Sequence, residues 1–141
     1  MNFIEMLDAA LRLAETAHEG QVDKAGRPYF EHVSYVAAQG IGDEKIVGAL
    51  HDVVEDTTIT LAFLVKIFPI HIVQAVDAIT KRKGELYEDY LKRVKMNTLA
   101  RQVKLYDLDH NMDLSRLAVI SPADNARVFK YQQAKEFLLA E

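Results

Sequence analysis

Residues 44–56 read EKIVGALHDVVED. Wound at 3.6 residues per turn, the run places apolar side chains on nearly every side, which predicts a central, buried helix rather than an amphipathic surface one. Asp43, just before it, is a cap-forming residue type and is expected to start the helix. A helix of this kind needs others around it, and the flanking sequence supplies them. Phe3, Ile4, Leu7, Ala10, Leu11, Ala14 and Ala17 recur at helical spacing, with Gly20 as a stop signal. GQVDKAGRPYF (20–30) mixes glycine, proline and charge and reads as a loop. A second helix should run from near Phe30 to about Gly40, carrying His32, Val33, Val36 and Ala37 inward.

Downstream, Thr60 can cap a short helix, LAFLVKIF, and Pro69 suits the first turn of the next, IHIVQAVDAIT. LYEDYLKRVKM and LARQVKLYDLDHNM read as two helices around Asn97, and Ser121, Pro122 and Asp124 announce a last one. No stretch alternates like a strand, none repeats, and no Pro/Ser/Gly-rich tract divides the chain. The expectation is an all-α bundle of about seven or eight helices forming one domain over residues 1–141.

Bulk properties narrow the function. At 141 residues, half of them hydrophobic, the chain is long enough for a substantial core. It has no cysteine, so neither a disulfide framework nor a thiolate metal site is possible. A formal net charge of −4 argues against a nucleic-acid backbone as the main partner. The first twenty residues carry Asp and Glu within their apolar pattern, unlike a signal peptide, and no stretch reaches membrane-span length. A soluble cytoplasmic protein is expected.

The chemistry-bearing residues fall in three segments: His32; LHDVVEDT with His51, Asp52, Glu55 and Asp56; and VKLYDLDHNM with Asp107 and Asn111. His32, His51, Asp52 and Asp107 together supply two imidazoles and two carboxylates, the donor set of a divalent metal that does hydrolytic chemistry. His51 and Asp52 would point about 100° apart on an ideal helix, while His51/Glu55 and Asp52/Asp56 each share a face. So many charges on an apolar helix are costly without a cation. Two nitrogens and two oxygens leave two positions open on an octahedral ion, which fits Mn²⁺, with Fe²⁺, Co²⁺ or Ni²⁺ as competitors. Glu55 or Asp56 is then placed to move a proton. The other histidines form no second cluster: His18 should sit against the last carbonyls of the first helix, His71 should be exposed, and His110 should point away from Asn111.

AHEGQVDKAGRPYFEHV, ALHDVVEDTTIT and VKLYDLDHNM resemble, in order and spacing, the hydrolase domain of the RelA/SpoT-homologue alarmone enzymes, over roughly residues 14–115. The chain is most similar to the small alarmone hydrolases and to short bacterial HD-domain proteins. The resemblance implies that His32, His51, Asp52 and Asp107 bind Mn²⁺, that Glu55 and Asp56 assist the attacking water, that Asn111 contacts substrate or orients the site, and that Lys24 and Tyr29 line a nucleotide pocket. It implies removal of pyrophosphate from the 3′ position of guanosine 3′,5′-bis(diphosphate), ppGpp, leaving GDP. Departures are Asp23, where the family usually has an arginine that packs on guanine, Val33 after the metal histidine in place of proline, and Asp109 in place of leucine. With no synthetase segment after the last helix, synthesis of the alarmone is not expected.

Eight basic residues between Lys81 and Lys104 against three acidic ones offer a wall for a polyphosphate, with Lys104, one turn before Asp107, as the best single contact. Tyr87 and Tyr90 read as packing residues. Two other functions fit the same residues: an HD phosphohydrolase acting on another nucleotide, motivated by Asp23, and a non-catalytic nucleotide sensor, against which the Glu55–Asp56 pair argues.

Overall fold

The computed structural model describes all 141 residues. Nine helices follow one another: α1 (Phe3–Ala17), α2 (Phe30–Gln39), α3 (Asp43–Leu50), α4 (Val53–Asp56), α5 (Leu61–Val65), α6 (Ile70–Ile79), α7 (Tyr87–Lys95), α8 (Thr98–Met112) and α9 (Pro122–Leu139). There is no sheet; a single antiparallel bridge joins Val22 to Pro28 within the loop after α1. No helix is long and apolar enough to cross a membrane.

The all-α expectation holds, and the count exceeds it by one because the run 44–56 is not one helix. It breaks at His51 and Asp52, and Asp52 (φ −111°, ψ 0°) leads into the one-turn α4. Before the break the run is as buried as its composition requires: Ile46, Val47, Gly48, Ala49 and Leu50 are all inside. Helices α1, α2, α6 and α8 pack around it. Asp43 is not the cap: it is the first helical residue, and Gly42, at φ 58°, precedes it in a conformation that favours glycine.

Other start signals act as read. Thr60 accepts a hydrogen bond from the Phe63 N–H at 3.1 Å; Asn97, expected only as the junction of two helices, caps α8 by accepting from the Ala100 N–H at 3.0 Å. Ser121 and Asp124 form a reciprocal capping box with Pro122 in the first turn of α9. The first helix ends earlier than Gly20, at Ala17, with His18 as its C-terminal cap.

Gly48 allows the closest approach in the core. A Cβ there would lie 3.0 Å from Ala37 Cα and 3.1 Å from Ala37 N, so α3 rests directly on the backbone of α2. Gly48→Ala is expected to lower stability by about 1–3 kcal/mol, because neither backbone can yield without shifting its helix. Denaturant unfolding measures this. The same shift would disturb His51, which hangs from the Gly48 carbonyl.

Candidate metal centre

Three parts of the bundle deliver four donors to one point. His32 comes from the first turn of α2, His51 and Asp52 from the break between α3 and α4, and Asp107 from the third turn of α8. One ligand atom from each lies within 4.8 Å of all the others. His32, His51 and Asp107 are buried and Asp52 is nearly so. Breaking the helix is what lets two adjacent residues serve one site: His51 Nε2 and Asp52 Oδ2 come within 2.9 Å.

Every donor is held from behind. Tyr29 donates its hydroxyl to Asp52 Oδ2 at 2.5 Å. Lys104 donates to Asp107 Oδ2 at 2.8 Å, and Asn111 donates through Nδ2 to Asp107 Oδ1 at 3.0 Å. His32 Nε2 lies 2.9 Å from Asp107 Oδ1, while its Nδ1 lies 2.7 Å from His110 Nδ1. His51 Nδ1 sits 2.6 Å from the Gly48 carbonyl oxygen.

That last contact fixes the chemistry of His51. A carbonyl only accepts, so Nδ1 carries the hydrogen and, in the neutral ring, Nε2 presents a lone pair. Nε2 is buried, hydrogen-bonded to nothing, 2.9 Å from Asp52 Oδ2 and 3.4 Å from Asp107 Oδ1. A lone pair facing two carboxylate oxygens is repulsive unless a positive charge stands between them. In the bare protein a proton does so: burial opposes it, but the Asp52 and Asp107 carboxylates hold His51 well above its ordinary value. A divalent cation would do so better and satisfy all four donors.

The electrostatics separate the acids. Burial would raise Asp107, but the Lys104 ammonium, the hydrogen bond with His32 and the nearby His51 ring hold its carboxyl well below the usual carboxylate range. Asp56 goes the other way, pushed up to about 6 by desolvation and by the neighbouring Asp52 and Glu55 charges. Glu55 accepts the Lys81 backbone N–H at 2.9 Å.

Some residues singled out in the sequence have other duties. Lys104 stands in the wall of a small cavity beside the cluster and donates to Asp107; burial, which would lower its pKa, is overcome by Asp107, which raises it well above the lysine value. Tyr29 holds Asp52. Arg82 is tied to Asp77 and Arg93 to Glu85, so the basic stretch 81–104 is partly neutralised. Asp23 is filled: Oδ1 accepts from the Ala25 and Arg27 N–H groups, and Oδ2 accepts from Arg116. Its carboxylate shapes the loop and ties it to Arg116. Asp109 pairs with Lys135 of α9 at 2.8 Å. His71 is exposed and pairs with Asp43.

His18 and His110 depart from expectation. The His18 ring turns to Gln21 Oε1 rather than to the α1 carbonyls, and packs 5.2 Å from the Tyr29 ring. His110 is buried between Tyr35, stacked at 4.0 Å, and His32. The signal for His110 was present in the sequence: it lies three residues beyond Asp107, on the same helical face. Replacing it with phenylalanine is expected to keep the stack and remove the nitrogen that orients His32. Metal affinity should fall about 10- to 100-fold, read by competition with a chelator.

Two cavities adjoin the cluster and share Asn111 and Tyr131. The larger, about 450 Å³, is lined by Lys24, Tyr29, Arg116 and Arg127 among others. The smaller, about 170 Å³, contains His51, Asp52 and Glu55 in its wall. Of the expected substrate contacts, Lys24, Tyr29 and Asn111 border the larger, nucleotide-sized space, and Lys104 and Asn111 the smaller.

No family model matches the chain. Curated relatives do. The guanosine-3′,5′-bis(diphosphate) 3′-pyrophosphohydrolase of Borreliella burgdorferi is 34% identical over 73% of this chain and 18% of its own length. The protein of the same name from Haemophilus influenzae is 31% identical over 84% of this chain and 20% of its own. The chain is homologous to a segment of the RelA/SpoT-type hydrolases. It spans about a fifth of the length of the curated relatives it matches. In fold, it superposes on a solved structure described as a metazoan orthologue of SpoT that hydrolyses ppGpp, with a TM-score of 0.78 and 22% identity, over 95% of this chain and 85% of that one.

Proposed function

We propose that the chain is a metal-dependent hydrolase of a nucleotide 3′-diphosphate, taking guanosine 3′,5′-bis(diphosphate) or a close analogue to GDP and pyrophosphate. The carrying observation is His51 Nε2: a buried lone pair aimed at two carboxylates, an arrangement that a proton relieves in the bare protein and that a divalent cation would satisfy together with the other three donors. The names of the homologous hydrolases supply the substrate class. On this reading residues 1–141 act as one domain, in the cytoplasm, on a small nucleotide rather than on nucleic acid.

His32, His51, Asp52 and Asp107 would hold the ion, and the N₂O₂ donor set fits Mn²⁺, as it fits Fe²⁺, Co²⁺ and Ni²⁺. The bound metal lowers the pKa of water and withdraws charge from the phosphoryl group. The protein supplies the rest. Tyr29, Lys104, Asn111 and His110 keep the four donors oriented, so no reorganisation is needed when substrate arrives. Asp56, its carboxyl pushed up to about 6, is a base matched to neutral pH: it takes the proton of the attacking water and returns it to the departing 3′ oxygen. Glu55, anchored on the Lys81 N–H, orients that water. The nucleoside and its 5′-diphosphate occupy the larger cavity beside Lys24 and Tyr29.

The raised carboxyl of Asp56 also favours catalysis over a purely sensory role, because binding alone has no use for a group poised to exchange a proton. The test is direct. Purified protein with Mn²⁺ and ppGpp should yield equimolar GDP and pyrophosphate, separated by anion exchange. Absence of both products, with the nucleotide bound, would leave the sensor reading. Turnover of a different nucleotide in a parallel panel would move the substrate.

A further inference from the structure

Helix α6 ends against α7, and the carbonyls of its last turn have no partners within the helix. Side chains take them. Tyr90 donates its hydroxyl to the Ile79 carbonyl at 2.6 Å, and Arg82 reaches the Asp77 carbonyl at 2.6 Å. The Thr80 carbonyl receives two guanidinium groups at once, from Arg93 Nη2 at 2.8 Å and from Arg82 Nη1 at 2.5 Å. Capping the helix accounts for the bonds to Asp77 and Ile79.

Thr80 differs because of what stands on the other side of its peptide. A peptide unit is planar and stiff, so the Thr80 carbonyl and the Lys81 N–H belong to one plate and point in opposite directions. That N–H donates to Glu55 Oε1 at 2.9 Å. Glu55 therefore rests on a plate whose far edge is held by two cations. The cations also strengthen the contact, since a hydrogen bond at the carbonyl polarises the peptide and makes its N–H a better donor.

The two arginines are not equivalent. Arg82 lies on the same loop as Thr80 and moves with it. Arg93 belongs to α7 and ties the loop to the bundle. Its guanidinium lies 5.6 Å from the Tyr90 ring centre, and Glu85 accepts from both of its terminal nitrogens. Glu85 also accepts the Arg82 N–H at 3.0 Å, which closes the loop on itself. Arg93 first, and then that N–H, hold the Glu85 carboxyl down at about 2, so the pair stays charged at working pH. Arg93 does not border the small cavity whose wall contains His51, Asp52 and Glu55.

We propose that Arg93 is a positioning residue for the hydrolysis: by clamping the Thr80–Lys81 peptide to α7, it sets the place of the Glu55 carboxylate that orients the attacking water. The inference rests on the hydrolase reading above. Arg93 acts through one peptide and one hydrogen bond, and it touches neither metal ligand nor substrate.

Arg93→Lys tests it. Lysine keeps the charge and most of the stem but replaces the planar fork with a single ammonium, which cannot hold Glu85 and the Thr80 carbonyl in the same geometry. With Mn²⁺ and ppGpp, kcat should fall about 10- to 100-fold, as misplacement of a positioned group implies, with KM and Mn²⁺ affinity within about twofold of the parent. In a Glu55→Ala background, under single-turnover conditions, the factor should shrink to about twofold or less, because the group that Arg93 places is gone. A second readout needs neither metal nor turnover: in spectra of the metal-free protein, Glu55→Ala and Arg93→Lys should both move the Lys81 amide proton upfield. Equal losses of kcat in the two backgrounds, or a Lys81 amide unmoved by Arg93→Lys, would overturn the assignment. A parent that hydrolyses ppGpp no faster than Arg93→Lys would remove this inference alone, whereas a parent without turnover would remove the hydrolase reading and this inference with it.

Discussion

Asp107→Ala is expected to abolish metal uptake and to lower hydrolysis about a thousandfold or more, since the stabilisation a metal supplies amounts to several kcal/mol. It should also weaken the fold. Asp107 answers the ammonium of Lys104, whose side chain is only 14% exposed, and removing it leaves that charge buried and unpaired. Breaking such a pair costs about 3–5 kcal/mol. The two effects come apart in the double change Asp107→Ala/Lys104→Met. Stability in metal-free buffer should return most of the way, because no charge is stranded, while metal binding and turnover stay lost. Denaturant midpoints and metal content of the parent, the single and the double variants measure both. Recovery of metal binding in the double variant would show that Asp107 acts only by neutralising Lys104.

Asp56→Asn should have opposite effects on activity and stability. Losing the proton acceptor is expected to lower turnover about 10²- to 10⁴-fold. The same change should stabilise the metal-free protein above pH 6. In the folded chain the Asp56 carboxyl is pushed from 3.8 up to about 6, by desolvation first and then by Asp52 and Glu55. Between those values the unfolded chain has released the proton and the folded chain still holds it, so stability falls as pH rises through the window and stays lower above it. Asparagine removes the penalty. Because the side chain is more than a third exposed, solvent screens the effect and the expected gain is only about 1 kcal/mol at pH 7–8, with none near pH 3. Melting curves across pH without metal, set beside turnover with metal, test it. A variant that loses activity without gaining stability at pH 8 would place Asp56 in a structural role.

The sequence carried the architecture where periodicity and caps agree. The all-apolar run at 46–50, the Thr60 cap and the Ser121–Asp124 start signal each mark an element that the structure contains. It did not carry the break at His51–Asp52. The one poor helix former in VGALHDVVED, Gly48, lies inside α3 and not at the break, where contacts distant in sequence engage the chain: Tyr29 and the cluster take Asp52, while the His51 ring turns to the Gly48 carbonyl. The four candidate ligands were legible as residue types in three segments, and the bundle brings them together. Their supports were less so. Lys104, three residues before Asp107, reads equally well as a substrate contact or as a carboxylate partner, and the contact with Asp107 appears only in the fold. Arg116 reaches Asp23 across 93 positions of sequence, a contact with no local signature. For Asp23, family comparison marked an unusual residue, whereas its carboxylate turned out to be filled by its own loop and by Arg116.

A titration of the metal-stripped chain with Mn²⁺, following bound metal by electron paramagnetic resonance and pyrophosphate release from ppGpp on the same samples, bears most directly on the account. One tight equivalent per chain is predicted, with turnover rising in proportion to its occupancy and levelling off when it is filled. Tight binding of one equivalent without pyrophosphate release, or release that proceeds before any metal is bound, would contradict it.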